Sequence, residues 1–141
     1  MTEIRPCLSS LDREQAFDIR RSVLCGELHL NREAARDDDD DSAGTYLALA
    51  WEGEKPVGTG RLLQRGSFWV LEHVSVLPEQ RHRGVGQALL GHFRAQAQAR
   101  GVRDLLVVSP AVASPFFLKA GFAMQGAQGD LVVLQSLLEA V

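Results

Sequence analysis

Residues 81–86 of this chain, Arg-His-Arg-Gly-Val-Gly, stand between a run that reads as a strand and a run that reads as a helix. Two glycines at the opening of a helix leave backbone N–H groups without an acceptor inside the helix, and the helix dipole adds partial positive charge at that end. Arg81 and Arg83 bring whole charges to the approach loop. Together these make a seat for a phosphate-bearing ligand, and glycine lets the backbone come close to it. Two familiar phosphate motifs are excluded. The P-loop pattern Gly-x-x-x-x-Gly-Lys-Ser/Thr is absent. The dinucleotide fingerprint fails because Leu89 stands where a third small residue belongs, and because Asp104 precedes its strand instead of ending it.

The elements that must position this loop follow from the apolar pattern. Glu3 to Leu8 reads as a first strand, and Asp12 is expected to cap a helix from Arg13 to about Leu28. His29 to Gly44 is polar, and the five carboxylates Asp37 to Asp41 are expected in a solvated loop or a fraying helix end, because like charges repel. A cation site is not expected there, since bound cations need ligands at staggered positions and not a block. Residues 45–51, 56–63 and 68–77 read as three strands of an antiparallel meander, with turns at 52–55 and 65–67. A helix from Gly84 to Arg100 follows, stopped by Gly101. Leu105 to Val108 is an apolar strand suited to burial inside a sheet. Ala113 to Ala120 is a short helix, and Phe122–Met124 with Leu131–Leu137 are expected to form a terminal hairpin around Gly126 and Gly129.

The 141 residues, 45% of them hydrophobic, support one domain over residues 1–141 with a proper core. A net charge of -3 argues against nucleic acid as a partner, since no overall basic field exists. Cys7 and Cys25 are too few for a disulfide scaffold and lack metal-ligand spacing. They are expected as small hydrophobes or free thiols in a reducing compartment. The N-terminus has no signal-peptide core and no run approaches membrane-spanning length, so a cytoplasmic protein without membrane association is expected.

The segment Val74-Ser75-Val76-Leu77-Pro78-Glu79-Gln80-Arg81-His82-Arg83-Gly84-Val85-Gly86-Gln87-Ala88-Leu89-Leu90 resembles the acyl-CoA-binding segment of the GNAT N-acyltransferase superfamily. Downstream, Phe116-Phe117-Leu118-Lys119-Ala120-Gly121-Phe122 resembles the family's Phe-Tyr-x-Lys-x-Gly-Phe. The two matches span roughly residues 45 to 124. In the N-terminal third, Arg20-Arg21-Ser22-Val23-Leu24 and the acidic run are only loosely similar to a branch of small bacterial members. The resemblance implies an α/β (α+β) fold with a mixed, mostly antiparallel sheet of six to seven strands and about four flanking helices. It also implies an enzyme that moves acetyl from acetyl-CoA to a primary amine, without a metal.

By the same resemblance, backbone groups of Arg81, His82, Arg83, Gly84, Val85, Gly86, Gln87 and Ala88 frame the CoA pyrophosphate. Val74, Ser75 and Val76 offer a strand edge to the amide-rich pantetheine arm, which suits an extended ligand, and Phe116 lines its channel. A backbone N–H near Val74 or Val76 would receive the oxyanion. Attack requires a neutral amine, and an ammonium with a pKa of roughly 10.4 needs a base near neutral pH. Glu72 and His73 are the candidates, with Glu72 preferred. Adjacent strand residues face opposite sides, so at most one is expected to point into the cleft, and a bulge in this strand would change which one.

Phe117 departs from the family, whose tyrosine at that position often protonates the departing thiolate. That departure supports a second reading, a non-catalytic acyl-CoA-sensing or protein-binding module. A nucleotide-binding regulator rests on the Gly-x-Gly alone. The acceptor amine is not specified by these residues, the acidic run hints at a cationic one, and a homodimer through the last strands is compatible with the family.

Overall fold

The computed structural model describes residues 2–137. Its strands are β1 (Thr2–Pro6), β2 (Tyr46–Glu52), β3 (Lys55–Arg65), β4 (Phe68–Val76), β5 (Asp104–Pro110), β6 (Ala123–Gln128) and β7 (Leu131–Leu137). They form one sheet in the order β1-β2-β3-β4-β5-β7-β6, antiparallel throughout except for the parallel pair β4–β5. The helices are α1 (Ser10–Arg20), continued by a wider π-helical segment (Arg21–Glu27), then α2 (Val85–Ala99) and α3 (Ser114–Lys119). The mixed, mostly antiparallel sheet and the flanking helices are those the sequence led us to expect.

β2 is apolar on both faces because both are covered. Ala48 and Ala50 join the core beneath α2, and Leu49 joins the cluster beneath α1. Val85, Leu89, Leu90, Phe93 and Ala97 form the buried stripe of α2. That helix lies close to β3 because two positions there lack side chains. A Cβ at Gly60 would come within 2.7 Å of the Phe93 ring, and one at Gly58 within 3.0 Å of Leu89.

Four details differ from expectation. The cap of α1 is Ser9, whose hydroxyl accepts from the Asp12 N–H at 3.0 Å, while the Asp12 carboxylate accepts from the Leu8 N–H at 3.1 Å. Asp12 is thus a reciprocal partner in the first turn and not the cap itself. β6 runs through Gly126, which sits at a register shift, and the hairpin turn is carried by Gly129 at φ +61°. β5 begins at Asp104 and runs on to Pro110, beyond the expected four residues.

The largest departure is the acidic run. Asp38–Asp41 is a 3-10 turn capped by Asp37, and Asp40 is buried. The repulsion that was expected to expose this run is cancelled by arginines from distant elements.

Candidate active site

The parallel ladder of β4 and β5 ends at Glu72 opposite Val108, although β4 continues to Val76 and β5 to Pro110. Past that point β4 has β3 on one side and, among the described residues, no strand on the other. The Leu77 N–H bonds back to the Val57 carbonyl at 2.9 Å, so by alternation the N–H and C=O of Val76 face the open side. There the Val76 carbonyl accepts from Arg81 Nε at 3.0 Å.

At the inner end of this free edge β4 carries a bulge. Thr59 pairs with Ser75 and Arg61 with Glu72, so Gly60 alone faces both His73 and Val74. His73 takes up the extra residue at φ +57°, a left-handed conformation unusual for a side chain of its size. The Ser75 hydroxyl donates to the His73 carbonyl at 3.2 Å. The bulge breaks strand alternation, so Glu72 and His73 border the same cavity of about 270 Å³, with Asp37 beside them. The expectation that at most one faces the cleft is corrected by this geometry.

Behind the cavity lies a buried ionic network. Arg20 grips Asp40 through two bonds of 2.6 and 3.2 Å, both side chains fully buried. Arg61, also fully buried, grips Asp37 at 2.5 and 3.1 Å and reaches Asp40 at 3.0 Å and Glu72 at 3.1 Å. Glu72 Oε1 accepts from Arg65 as well, at 2.9 Å. Asp40 closes the turn by accepting the Asp37 N–H at 2.8 Å. Phe17, buried beneath, is faced by the guanidiniums of Arg13, Arg20 and Arg36. Sequence reasoning missed Asp37, Arg20 and Arg61. One signal was present: Arg61 interrupts the apolar run of β3, and a charge in a buried strand requires a buried partner.

Burial pushes the His73 imidazole below its ordinary value, and the nearby Arg20 and Arg61 charges add to this against the pull of Asp37. Its Nε2 lies 3.8 Å from Asp37 Oδ2. Burial alone would raise the Asp37 carboxyl, yet His73 and the Arg61 guanidinium outweigh it and hold the group well below the carboxylate range. Asp40 is likewise held low, its burial outweighed by bonds from Arg20 and the Asp37 backbone.

These directions set the pH dependence of stability. A histidine whose folded value lies below 6.5 contributes fully above that pH and loses its contribution as pH falls. The half-buried His92 acts in the same sense. Asp37 and Asp40 contribute above their ordinary 3.8 and lose it as pH falls lower still. We therefore expect Tm to hold between pH 8 and 6.5, decline modestly below 6.5, and drop steeply below about pH 4. Calorimetry across this range checks it; a Tm rising between pH 6.5 and 4.5 contradicts the assignment.

The arginine–glycine loop leads from the free edge into α2. His82 (φ +62°) and Gly84 (φ +87°) turn the chain left-handed, and Gly84 caps the helix. The first bond of α2 runs from the Ala88 N–H to the Gly84 carbonyl, so the N–H groups of Val85, Gly86 and Gln87 have no acceptor within the helix. A Cβ at Gly86 would touch only the Phe116 ring, at 3.4 Å. Phe116 packs edge-on against buried Phe117, which meets Phe122 in turn.

The side chains of the loop divide in role. Val85 is buried in the core, so only its backbone is available. Arg83, His82 and Gln87 are exposed. Arg81 corrects an expectation: its guanidinium pairs with Glu27 at 2.6 and 2.7 Å, so it straps the loop to the π-helical segment, and its charge is already matched.

An open helix N-terminus followed by an unpaired strand edge defines a site for an extended ligand with phosphates at one end and amides along its length. The sequence model of the acetyltransferase (GNAT) family matches residues 12–122. The uncharacterized N-acetyltransferase YjcF of Bacillus subtilis is 28% identical over 109 residues, covering 77% of this chain and 76% of that protein. An acetyltransferase from Streptococcus agalactiae has the same fold at 21% identity, with a TM-score of 0.81 over 97% of this chain and 98% of its own. The PaiA N-acetyltransferase of Thermoplasma acidophilum, crystallised with coenzyme A, superposes with a TM-score of 0.74 at 18% identity, over 97% and 99% of the two chains. The chain belongs to the acetyltransferase (GNAT) family. It is an N-acetyltransferase of that family.

Among the described residues no helix is long and apolar enough to cross a membrane.

Proposed function

We propose that this enzyme transfers acetyl from acetyl-CoA to a primary amine by direct attack, with His73 as general base. The observation that carries the proposal is the β4 bulge, which sets His73 at the inner end of the free Val74–Val76 edge and on the wall of the cavity. The site fits the co-substrate. Backbone N–H groups of Val85, Gly86 and Gln87 would hold the pyrophosphate, the Val74 and Val76 edge the pantetheine, and Phe116 packs beside Gly86. Acetyl-CoA supplies an activated thioester carbonyl carbon for the amine to attack.

His73 is held neutral by burial, so its ring has a lone pair for the proton that the amine loses. Once protonated, the ring stands 3.8 Å from the Asp37 carboxylate, within ion-pair reach. What disfavours Glu72, the candidate preferred from sequence, is its double engagement: its Oε1 accepts from both Arg61 and Arg65. We assign Glu72 to holding those guanidiniums. As the carbon–sulfur bond breaks, the thiolate leaves. Buried Phe117 offers it no proton, and the Ser109 and Ser114 hydroxyls donate to the Pro110 and Ala111 carbonyls. A thiol of pKa about 8.5 departs without a strong acid.

His73→Asn tests this, because asparagine tolerates the left-handed conformation that the bulge requires. The expected result is a fall in kcat of about 10²-fold or more with KM for acetyl-CoA within about threefold, and loss of the acidic limb of the kcat profile. A kcat within threefold of the parent removes His73 from the role. Acetyl-CoA binding without thiol release in the presence of any amine favours the acyl-CoA-sensing reading that Phe117 supports.

A further inference from the structure

We infer that the acceptor is a small primary amine carried on a largely hydrocarbon body, and not a polycation or a protein chain; the inference rests on the acetyl-transfer reading above. The cavity beside His73 holds about 270 Å³, just under the roughly 300–1,000 Å³ of small-molecule sites. Apart from Asn31 and the charged residues named below, its walls are aliphatic on both sides of the cleft. Leu24, Leu30 and Ala34 come from the α1 side, and Val108, Pro110 and Leu131 from β5 and β7.

The carboxylates at this cavity are the reason to exclude a polycation. The Asp37 oxygens are taken by Arg61, and Glu72 Oε1 by Arg61 and Arg65 together. A second ammonium carried into the cavity therefore meets guanidiniums behind each inner carboxylate, and would give up its hydration for little beyond the second oxygen of Glu72, in the repulsive field of Arg61 and Arg65. Glu33 lies at the exposed rim, outside the ion pairs of the described residues, where water screens it. The acidic run hinted at a cationic acceptor in the sequence; its inward-facing charges are satisfied internally.

The test uses the wild-type enzyme with acetyl-CoA, reading thiol release from a homologous series of alkylamines, phenethylamine, putrescine, spermidine and a lysine-containing peptide. Expected is a rise in kcat/KM of about fourfold per added methylene until the cavity is full. Phenethylamine or pentylamine is expected at least tenfold above putrescine, spermidine and the peptide. Leu30→Glu, at a half-buried wall position, is expected to lower kcat/KM for pentylamine about tenfold and raise it for putrescine, with KM for acetyl-CoA unchanged. Turnover of spermidine or the peptide at or above the alkylamines overturns the acceptor class and leaves acetyl transfer standing. Bound acetyl-CoA with no amine acetylated overturns both.

Discussion

Arg61→Met is expected to cost this fold about 3–5 kcal/mol, the range for removing one partner of a buried ion pair. The side chain is fully buried and holds three carboxylates, those of Asp37, Asp40 and Glu72. Asp40 retains Arg20 and Glu72 retains Arg65, so the charge left without a guanidinium is Asp37. The double variant Arg61→Met with Asp37→Asn should therefore recover about 1–3 kcal/mol of the loss. Urea unfolding midpoints measure both. A domain of this kind has about 5–15 kcal/mol in total, so the single variant should lose a large share of it. A single-variant loss under about 1 kcal/mol, or no recovery in the double, means that Arg61 does not stabilise the fold through these carboxylates.

Gly86→Glu is expected to leave the fold intact and abolish acetyl-CoA binding, raising Kd at least about 100-fold, or roughly 2.7 kcal/mol. The position lies in the first turn of α2 with an ordinary helical φ, and a Cβ there meets only Phe116 at 3.4 Å. A carboxylate in the first turn also suits the helix dipole. The harm falls on the ligand. The new carboxylate stands among the N–H groups free to receive phosphate, and repels it. Thermal-shift titration decides: an unliganded Tm near the parent's with no stabilisation by acetyl-CoA is the expected pair of results. Full stabilisation of the variant by acetyl-CoA would falsify the placement of the pyrophosphate.

The legible part of this molecule was local. The strand runs of 45–77, the glycine opening of α2 and the Gly101 stop each depend on a few neighbouring residues, and each appears in the structure. Glu72 and His73 were legible as the titratable pair beside the site. Their relative orientation was not, because one extra residue in β4 reverses which face a side chain takes. Arg81 was legible as a charge on the loop and illegible as a strap, because Glu27 lies 54 positions earlier in the chain.

The acidic run marks the boundary most sharply. Read alone, five adjacent aspartates repel and must be solvated. Folded, Asp40 meets Arg20 from 20 positions away and Asp37 meets Arg61 from 24 positions away, and the run becomes a tight turn that delivers Asp37 to His73. Sequence by itself determined the sheet-and-helix pattern and the glycine opening of α2, since these follow from periodicity and backbone freedom over short stretches, and its two motifs carried the resemblance to the family. Tertiary structure alone decided which charges are spent on one another and brought Glu72 and His73 to one cavity, because a guanidinium chooses its carboxylate by distance in space.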